Sequence, residues 1–509
     1  MLIPWIAALA PLLLFAASFA PSGLRRRAAV GAAIGAFVCA LFVAVGLIFT
    51  GRSSGFVLHL DAVSGTMFLL VAFIGLVVTA YARRYLDGDP GQPRFYRWLC
   101  LTLAAVLALT ISGNLLFFAL AWIATSMGLH RLLVFYPERP GAQLAARKKF
   151  VTSRLGDVAL IAALLLILGR FGSLEFGVIF AATDALRGQA DPGIAIHLAA
   201  LFIAIAAVLK SAQFPMHGWL PEVMETPTPV SALLHAGIIN AGGFLVIRMA
   251  DLVALSANAL DLLLVIGAVT AIFGAAVMLT QTSIKVALAW STVAQMGFMI
   301  LQCGLGAFAA AMLHVVAHAM YKAHAFLASG GVVAQRRPGV EKPLPVAMLI
   351  PALGGSVALV LVVGVLFGMP FIEKPGVAVL GATLMMGLTP MLAAGLMARD
   401  NARFVALRVA AFAVAVCFAY FALQLGAEML LHTALPESVA DRGPFALVLA
   451  GLTVLAFGTL LVLNVLRRSG HPGPALQASY VHLLNGFYVN AWCNALVARH
   501  WPVKIKGGV

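Results

Sequence analysis

Lys210 stands inside an apolar run, Ile203-Ala-Ile-Ala-Ala-Val-Leu-Lys210-Ser-Ala-Gln-Phe, and Pro215 follows five residues later. An ammonium at bilayer depth costs roughly 2.5–3.5 kcal/mol on insertion scales, so it is rarely retained without a use. Pro215 lacks a backbone donor and stops a helix. A lysine beside a broken helix is how membrane proteins build ion and proton sites. The alternative is a lysine whose head snorkels to the interface. The segment after the break carries Glu222 and Glu225 and ends at His235.

A second constellation is His314-x3-His318-x3-Lys322. The i, i+4, i+8 spacing stacks these side chains on one helix face, with Tyr321 close by and His324 off the stripe. Histidine passes protons between its two nitrogens, so the row reads as a proton wire. Two other readings stay open: histidines that only hydrogen-bond between helices, and an HxxxH metal pair. For the metal, no glutamate follows the first histidine and no third ligand is evident. The third constellation is Lys148-Lys149-x4-Arg154-x2-Asp157. It is either a local Arg154–Asp157 ion pair or a carboxylate that tunes Lys210.

Helices in a bilayer must position these groups. The 509 residues are 62% hydrophobic and only 10% charged, against about 25% charged in soluble domains. Fifteen apolar stretches recur, near 3–20, 28–50, 62–81, 98–112, 114–130, 150–169, 195–214, 228–247, 258–280, 286–303, 307–330, 345–369, 376–397, 404–430 and 444–466. This predicts an all-α polytopic membrane protein with about 13–15 transmembrane helices. The net charge of +15 does not mark a nucleic-acid binder, because no basic domain exists and the charges follow topology. With the N-terminus outside and the C-terminus cytoplasmic, 25 of the 33 Lys and Arg fall on the cytoplasmic side. Six fall in outside loops (Arg52, Arg170, Arg187, Arg248, Lys374, Arg442), and Lys210 and Lys322 lie within spans.

The five cysteines lack metal or disulfide spacing. Met1–Ala20 has the length of a signal peptide, but its charge follows the apolar run, so it reads as an uncleaved first span. The longest polar connections are Asp87–Arg97, Tyr136–Lys149 and Ala334–Pro343. Two helices look broken in corresponding places, near 201–227 and 357–371. Such pairing implies inverted repeats with the ion site at mid-membrane. The chain then divides into N-terminal helices (1–97), a first repeat (98–250), a second repeat (251–400), C-terminal helices (401–468) and a tail (469–509). That tail, rich in aromatics over 475–499, either lies along the interface, docks a partner, or is loosely ordered.

Lys210 to Pro215 and Pro227-Thr-Pro-Val-Ser-Ala-Leu-Leu-His235 together resemble the signature of the antiporter-like subunits. These are the L, M and N subunits of respiratory complex I and the large subunits of multisubunit sodium/proton antiporters. Gln281-Thr-Ser-Ile-Lys285, the run from Leu288 to Met299, His314 to Gly330, Leu60-Asp-Ala-Val-Ser-Gly and Arg84-Tyr-Leu agree. The resemblance spans about residues 55–375 and is nearest the L type. It implies an antiporter-like fold in which Lys210, His235, His314, His318, Lys322, Asp157, Lys285 and Tyr321 serve ion translocation. Glu222, Glu225 and His324 would couple to a loop or partner.

Three departures matter. The L type carries a Trp-Glu pair in its fifth span, where this chain has Trp122-Ile123. The lysine of the second broken helix is replaced by Phe367-Gly-Met-Pro370, with Lys374 beyond it. The long lateral helix of the complex I subunit has no counterpart after Arg468. Glu225-Thr-Pro-Thr-Pro, Ala236-Gly-Ile-Ile-Asn-Ala-Gly-Gly, Gln302-Cys-Gly and Tyr321-Lys-Ala-His324-Ala-Phe-Leu look like another branch. That branch is the membrane subunits B of inorganic-carbon accumulation complexes. By resemblance, the partner is a large zinc-binding subunit similar to β-carbonic anhydrases. The pair would couple a cation gradient to one-way hydration of CO2 at a bacterial cytoplasmic membrane. This chain itself would hold no cofactor or metal and would not be an enzyme. A complex I or antiporter-complex subunit remains the alternative. Lysine and histidine favour H+ over Na+ as the coupling ion.

Overall fold

The computed structural model describes residues 2–55, 57–189, 191–331, 345–371, 374–397, 402–436, 442–468 and 473–501. The connection Ala334–Pro343 and residues 502–509 lie outside the described residues. Each of the fifteen apolar stretches is helical. In chain order the helices are α1 (Leu2–Ser18), α2 (Ser22–Thr50), α3 (Ala62–Tyr85), α4 (Gln92–Ile111), α5 (Leu115–Leu133), α6 (Pro140–Phe171) and α7 (Phe176–Leu186). Then come α8 (Ile194–Lys210), α9 (Trp219–Glu222), α10 (Thr228–Ala236), α11 (Ala241–Arg248), α12 (Ala250–Val253), α13 (Ala257–Met278), α14 (Ile284–Gly304) and α15 (Phe308–Ala328). The C-terminal part holds α16 (Leu349–Leu366), α17 (Pro375–Leu396), α18 (Ala402–Leu431), α19 (Gly443–Arg468), α20 (Pro474–Leu484) and α21 (Val489–His500).

Among the described residues, twelve segments are long and apolar enough to cross a bilayer, α10 and α11 counting as one. The 17-residue helices α1 and α8 are shorter, and α15 is lowered in hydropathy by its histidines and lysine. The loops gather at two ends. A small hairpin, β1 (Ser53–Gly55) against β2 (Leu58–Leu60), marks one end. Leu58 bridges to Ser112 there, and Asn114 to Glu175. The tail helices α20 and α21 mark the other, where the Tyr480 hydroxyl donates to the Thr280 carbonyl (3.3 Å).

Asp61 caps α3 and exchanges hydrogen bonds with Ser64, a reciprocal capping box. The hydropathic window of Thr228–Arg248 is wholly buried, so α10 and α11 form the central post. Sequence periodicity predicts one continuous span there. The structure instead unwinds it through a 3-10 turn at Ile238–Asn240. The turn brings α11 against α8: the Ser211 hydroxyl donates to the Ile239 carbonyl (3.2 Å). A Cβ on Gly242 would collide with Ser211 and the Ala207 backbone. Small residues at such crossings let backbones approach closely.

Candidate functional site

α8 stops at Lys210, and residues 211–218 run in turns before α9. The unwinding follows from the missing amide at Pro215. It leaves Lys210 buried at the end of its helix. Its ammonium donates to the Trp122 carbonyl (3.2 Å) and lies 4.1 Å from the centroid of the indole ring. The same indole N–H donates to Asp157 Oδ1 (3.0 Å). Asp157 Oδ2 pairs with Arg154 at 2.7 Å. The local Arg154–Asp157 ion pair is present, and Trp122 contacts both the Asp157 carboxylate and the Lys210 ammonium.

Lys149 belongs to the same cluster. Its ammonium donates to the Ser126 carbonyl (2.6 Å) and hydroxyl (2.7 Å). A void of about 10 Å³ lies between Lys149 and Lys210, walled by Ser126, Ser153, Trp219 and Leu234. That is room for about one water. Three cationic side chains thus surround one carboxylate. Away from bulk water, moving a single proton here is felt by every member.

Leu234 of α10 lines that void, and His235, about 100° further round the helix, points toward α14 and α15. Its Nδ1 lies 3.0 Å from the Thr292 hydroxyl on α14, and its ring stacks on Phe326 at 4.3 Å. α10 is thus the wall shared by the two polar clusters. On α15, the row His314, His318, Lys322 faces inward. His314 Nδ1 meets Gln302 Oε1 (2.8 Å), and the His314 and His318 rings lie 6.0 Å apart. Lys322 is fully buried. It donates to the Leu288 carbonyl (2.8 Å) and to the Ser291 hydroxyl. Lys285 donates to Thr228 (3.1 Å) at the start of α10.

Tyr321 departs from the expectation. It is 61% exposed, because one residue before Lys322 is about 100° round the helix. His324 is exposed as well. Neither joins the inward row. Glu222 and Glu225 are engaged within the chain. Glu222 pairs with Lys148 at 2.5 Å and accepts from Asn494 (2.7 Å) and Asn490. Glu225 accepts the Ala142 amide (3.0 Å) at the first turn of α6, where a carboxylate suits the helix dipole.

Sequence reasoning missed two participants, Asn490 and His217. Lys148 donates to Asn490 Oδ1 (2.6 Å), so the tail helix α21 is tied to the mouth of the break. No sequence pattern marks Asn490. His217 is buried among Phe214, Phe273 and Trp290, and neither ring nitrogen has a partner among the described residues. Its place two residues after Pro215 was the available signal. The buried Gln213 Oε1, Asn240 Oδ1, His235 Nε2 and His318 Nε2 likewise lack protein partners among the described residues. Such atoms are normally satisfied, by water if not by protein. They occur along the broken segment and across α10 to α15. Among the described residues, no three His, Cys, Asp or Glu side chains gather as metal ligands.

The family model described as the transmembrane domain of NADH:quinone oxidoreductase and Mrp antiporters matches residues 112–373, just over half the chain. The N-terminal model of complex I chain 5 matches 49–96. The probable inorganic carbon transporter subunit DabB2 of Halothiobacillus neapolitanus is 41% identical over 86% of this chain and 79% of its own length. The probable subunit DabB of Hydrogenovibrio crunogenus is 45% identical over 55% of this chain, and the chain spans 54% of that protein. In the Mrp complex from Dietzia sp., a chain of 24% identity superposes with a TM-score of 0.61, covering 99% of this chain and 58% of that one. This last likeness speaks for the fold alone: an antiporter-like helical bundle in a multi-pass membrane protein. The chain belongs to the antiporter-like family of ion-conducting membrane subunits, in its branch of inorganic carbon transporter subunits B.

Proposed function

We propose that this chain is the proton-conducting subunit of an energy-coupled inorganic-carbon uptake complex in a bacterial cytoplasmic membrane, N-terminus outside and C-terminus cytoplasmic. The observation that carries the reading is the Lys210–Trp122–Asp157 linkage at the helix break. It puts an ammonium over the face and a carboxylate at the N–H edge of one buried indole. In the related L type, a glutamate after the tryptophan serves the lysine. Here Ile123 holds that place, and Asp157 supplies the carboxylate from α6.

Protons pass from the Lys149–Lys210 void across α10 to His235, then to His318 and Lys322, and leave past His314 and Gln302. The unpartnered polar atoms between these stations are the places for water. Histidine and lysine suit H+, since neither offers oxygen to Na+. Hydration of CO2 needs a metal-activated water, which the proposal assigns to a large zinc-binding carbonic-anhydrase-like partner. Charge movement at the break reaches that partner through the Lys148–Glu222 pair and the tail it holds.

The test is a mild-detergent pull-down of the tagged full chain, with mass spectrometry and metal analysis. One large partner carrying stoichiometric zinc is expected. A set of small membrane subunits, or flavin and iron–sulfur proteins, would overturn the carbon-uptake reading in favour of an antiporter or quinone oxidoreductase complex.

A further inference from the structure

An intramembrane groove of about 1140 Å³ opens on the outer face of α1, α4 and α5, where Ala124 and Met127 line it while Trp122 and Ser126 of α5 turn to the interior. Ala105 and Ala124 hollow it, and Trp5, Phe15, Trp98 and Met127 rim it. From Trp98 to Ser112 it follows α4 for roughly 21 Å at 1.5 Å per residue. That is well within a hydrocarbon core of about 30 Å and matches the reach of an acyl chain.

Its two ends differ. At the hairpin end, Ser53, Ser54, Gly55, Val57 and Leu58 line it, pinned by the Gly113 amide donating to the Val57 carbonyl (2.6 Å). At the other end stand two guanidinium groups. Arg131 lies 5.5 Å from the Trp98 ring centroid, and Arg97 lies 5.8 Å from that of Phe19. Both arginines are exposed, and neither pairs with a carboxylate among the described residues.

We propose that this groove is a binding site for an anionic phospholipid, with acyl chains against α4 and α5 and the phosphate held by Arg97 and Arg131. Guanidinium is the side chain best shaped for bidentate phosphate contact, and tryptophan beside it marks headgroup level. A partner's membrane-crossing helix fits less well. It would have to pass the hairpin that covers one end, whereas a lipid needs only the charged end open.

The test uses the full chain in mixed vesicles of phosphatidylglycerol and phosphatidylcholine in equal amounts. Retained lipid is counted by native mass spectrometry after mild detergent extraction. The chain is expected to keep phosphatidylglycerol over phosphatidylcholine by roughly tenfold or more, the scale of two cations near an anionic headgroup. The double variant R97Q/R131Q should lose that preference, and Ala124→Phe, which fills the groove, should retain neither lipid. Equal retention of both lipids by the unaltered chain would overturn the proposal. So would a preference that survives in R97Q/R131Q, or a second polypeptide that cross-links through Ala121→Cys. If Ala124→Phe fails to fold, the arginine pair still decides the matter.

Discussion

The two places where the sequence suggests broken helices, near 201–227 and 357–371, carry opposite chemistry. At the first, α8 ends on Lys210, and the unwound residues include Ser211, Gln213 and His217, all buried. At the second, α16 ends at Leu366, and the turn through Gly368 is surrounded by Phe367, Phe371, Phe418 and Phe421. Residues 345–371 contain no acid, lysine, arginine or histidine. Leu366 is 76% exposed, so that turn faces outward, as lipid-facing surface would. A broken helix supplies free backbone groups but no proton carrier. On the proposed reading side chains decide which region conducts, and among the described residues the first offers them where 345–371 does not.

The sharpest way to break this comparison is to remove Lys210. Lys210→Ala should reduce proton flux in proteoliposomes, read with a pH-sensitive dye, to that of empty liposomes, while the complex still assembles. At the second region, Met369→Ala should leave flux per folded molecule within about twofold, although truncating this buried side chain costs stability. Equal losses at both sites would show that the aromatic turn also serves conduction.

Asp157 sharpens the comparison further, because its role depends on an indole rather than on direct contact. Asp157→Asn should keep the Trp122 hydrogen bond yet lose most flux, and Asp157→Glu should recover part of it. Trp122→Phe, which removes the bond but keeps a ring for the ammonium, should fall between them. If Asp157→Asn conducts normally, the Arg154 pair is only structural and the carboxylate assignment fails. In the second cluster, His318→Gln should slow flux strongly. Tyr321→Phe should not, since that hydroxyl lies off the inward face.

Much of this was legible from residue types. A lysine in an apolar run and a row of His, His and Lys are costly in lipid, and these side chains turn to the interior, while the proline five residues after Lys210 marks the break and is itself exposed. The fifteen helices follow from hydropathy alone, because a bilayer leaves the backbone few alternatives. What stayed hidden depends on contacts distant in sequence. Trp122 and Asp157 are 35 residues apart, and Lys148 and Asn490 are 342 apart. The turn at Ile238–Asn240 was missed for another reason. Ile238 and Ile239 are as apolar as a helix, the single Asn240 did not mark a break, and the approach of Ser211 accounts for the opening there.

A tail prediction tests whether the first break is gated. Glu222→Gln removes the charge that holds Lys148, and the tie to Asn490 and Asn494 loosens. Charged hydrogen bonds of this kind contribute about 1.5–3 kcal/mol each. Limited proteolysis should cut the segment before α21 faster, with flux changed by less than in Asp157→Asn. Unchanged cleavage would mean that Arg147, which donates to the Trp501 carbonyl (2.5 Å), holds the tail without help.

The smallest effect on flux is expected at a buried charge pair that lies off the path. Arg248 donates to both carboxylate oxygens of Asp61 at 2.7 and 2.6 Å, tying α11 to the start of α3. Burial alone would raise the Asp61 carboxyl, but the guanidinium overrides this and holds it well below the ordinary range. A depressed carboxylate stabilises the fold above its unfolded value, about 3.9. That contribution is lost only as pH falls below there, through the folded value. Between pH 5 and 8 the pair is therefore constant. Asp61→Asn should destabilise by about 3–5 kcal/mol, the cost of stranding a buried partner, by the same amount at pH 5, 6.5 and 8 in thermal melts. Flux per folded molecule should hardly change, unlike Lys210→Ala. A deficit that varied across that window would show that the Asp61–Arg248 pair does not account for it alone. A flux loss as large as that of Lys210→Ala would extend the proton path to the hairpin end and erase the distinction between charges that hold the bundle and charges that work in it.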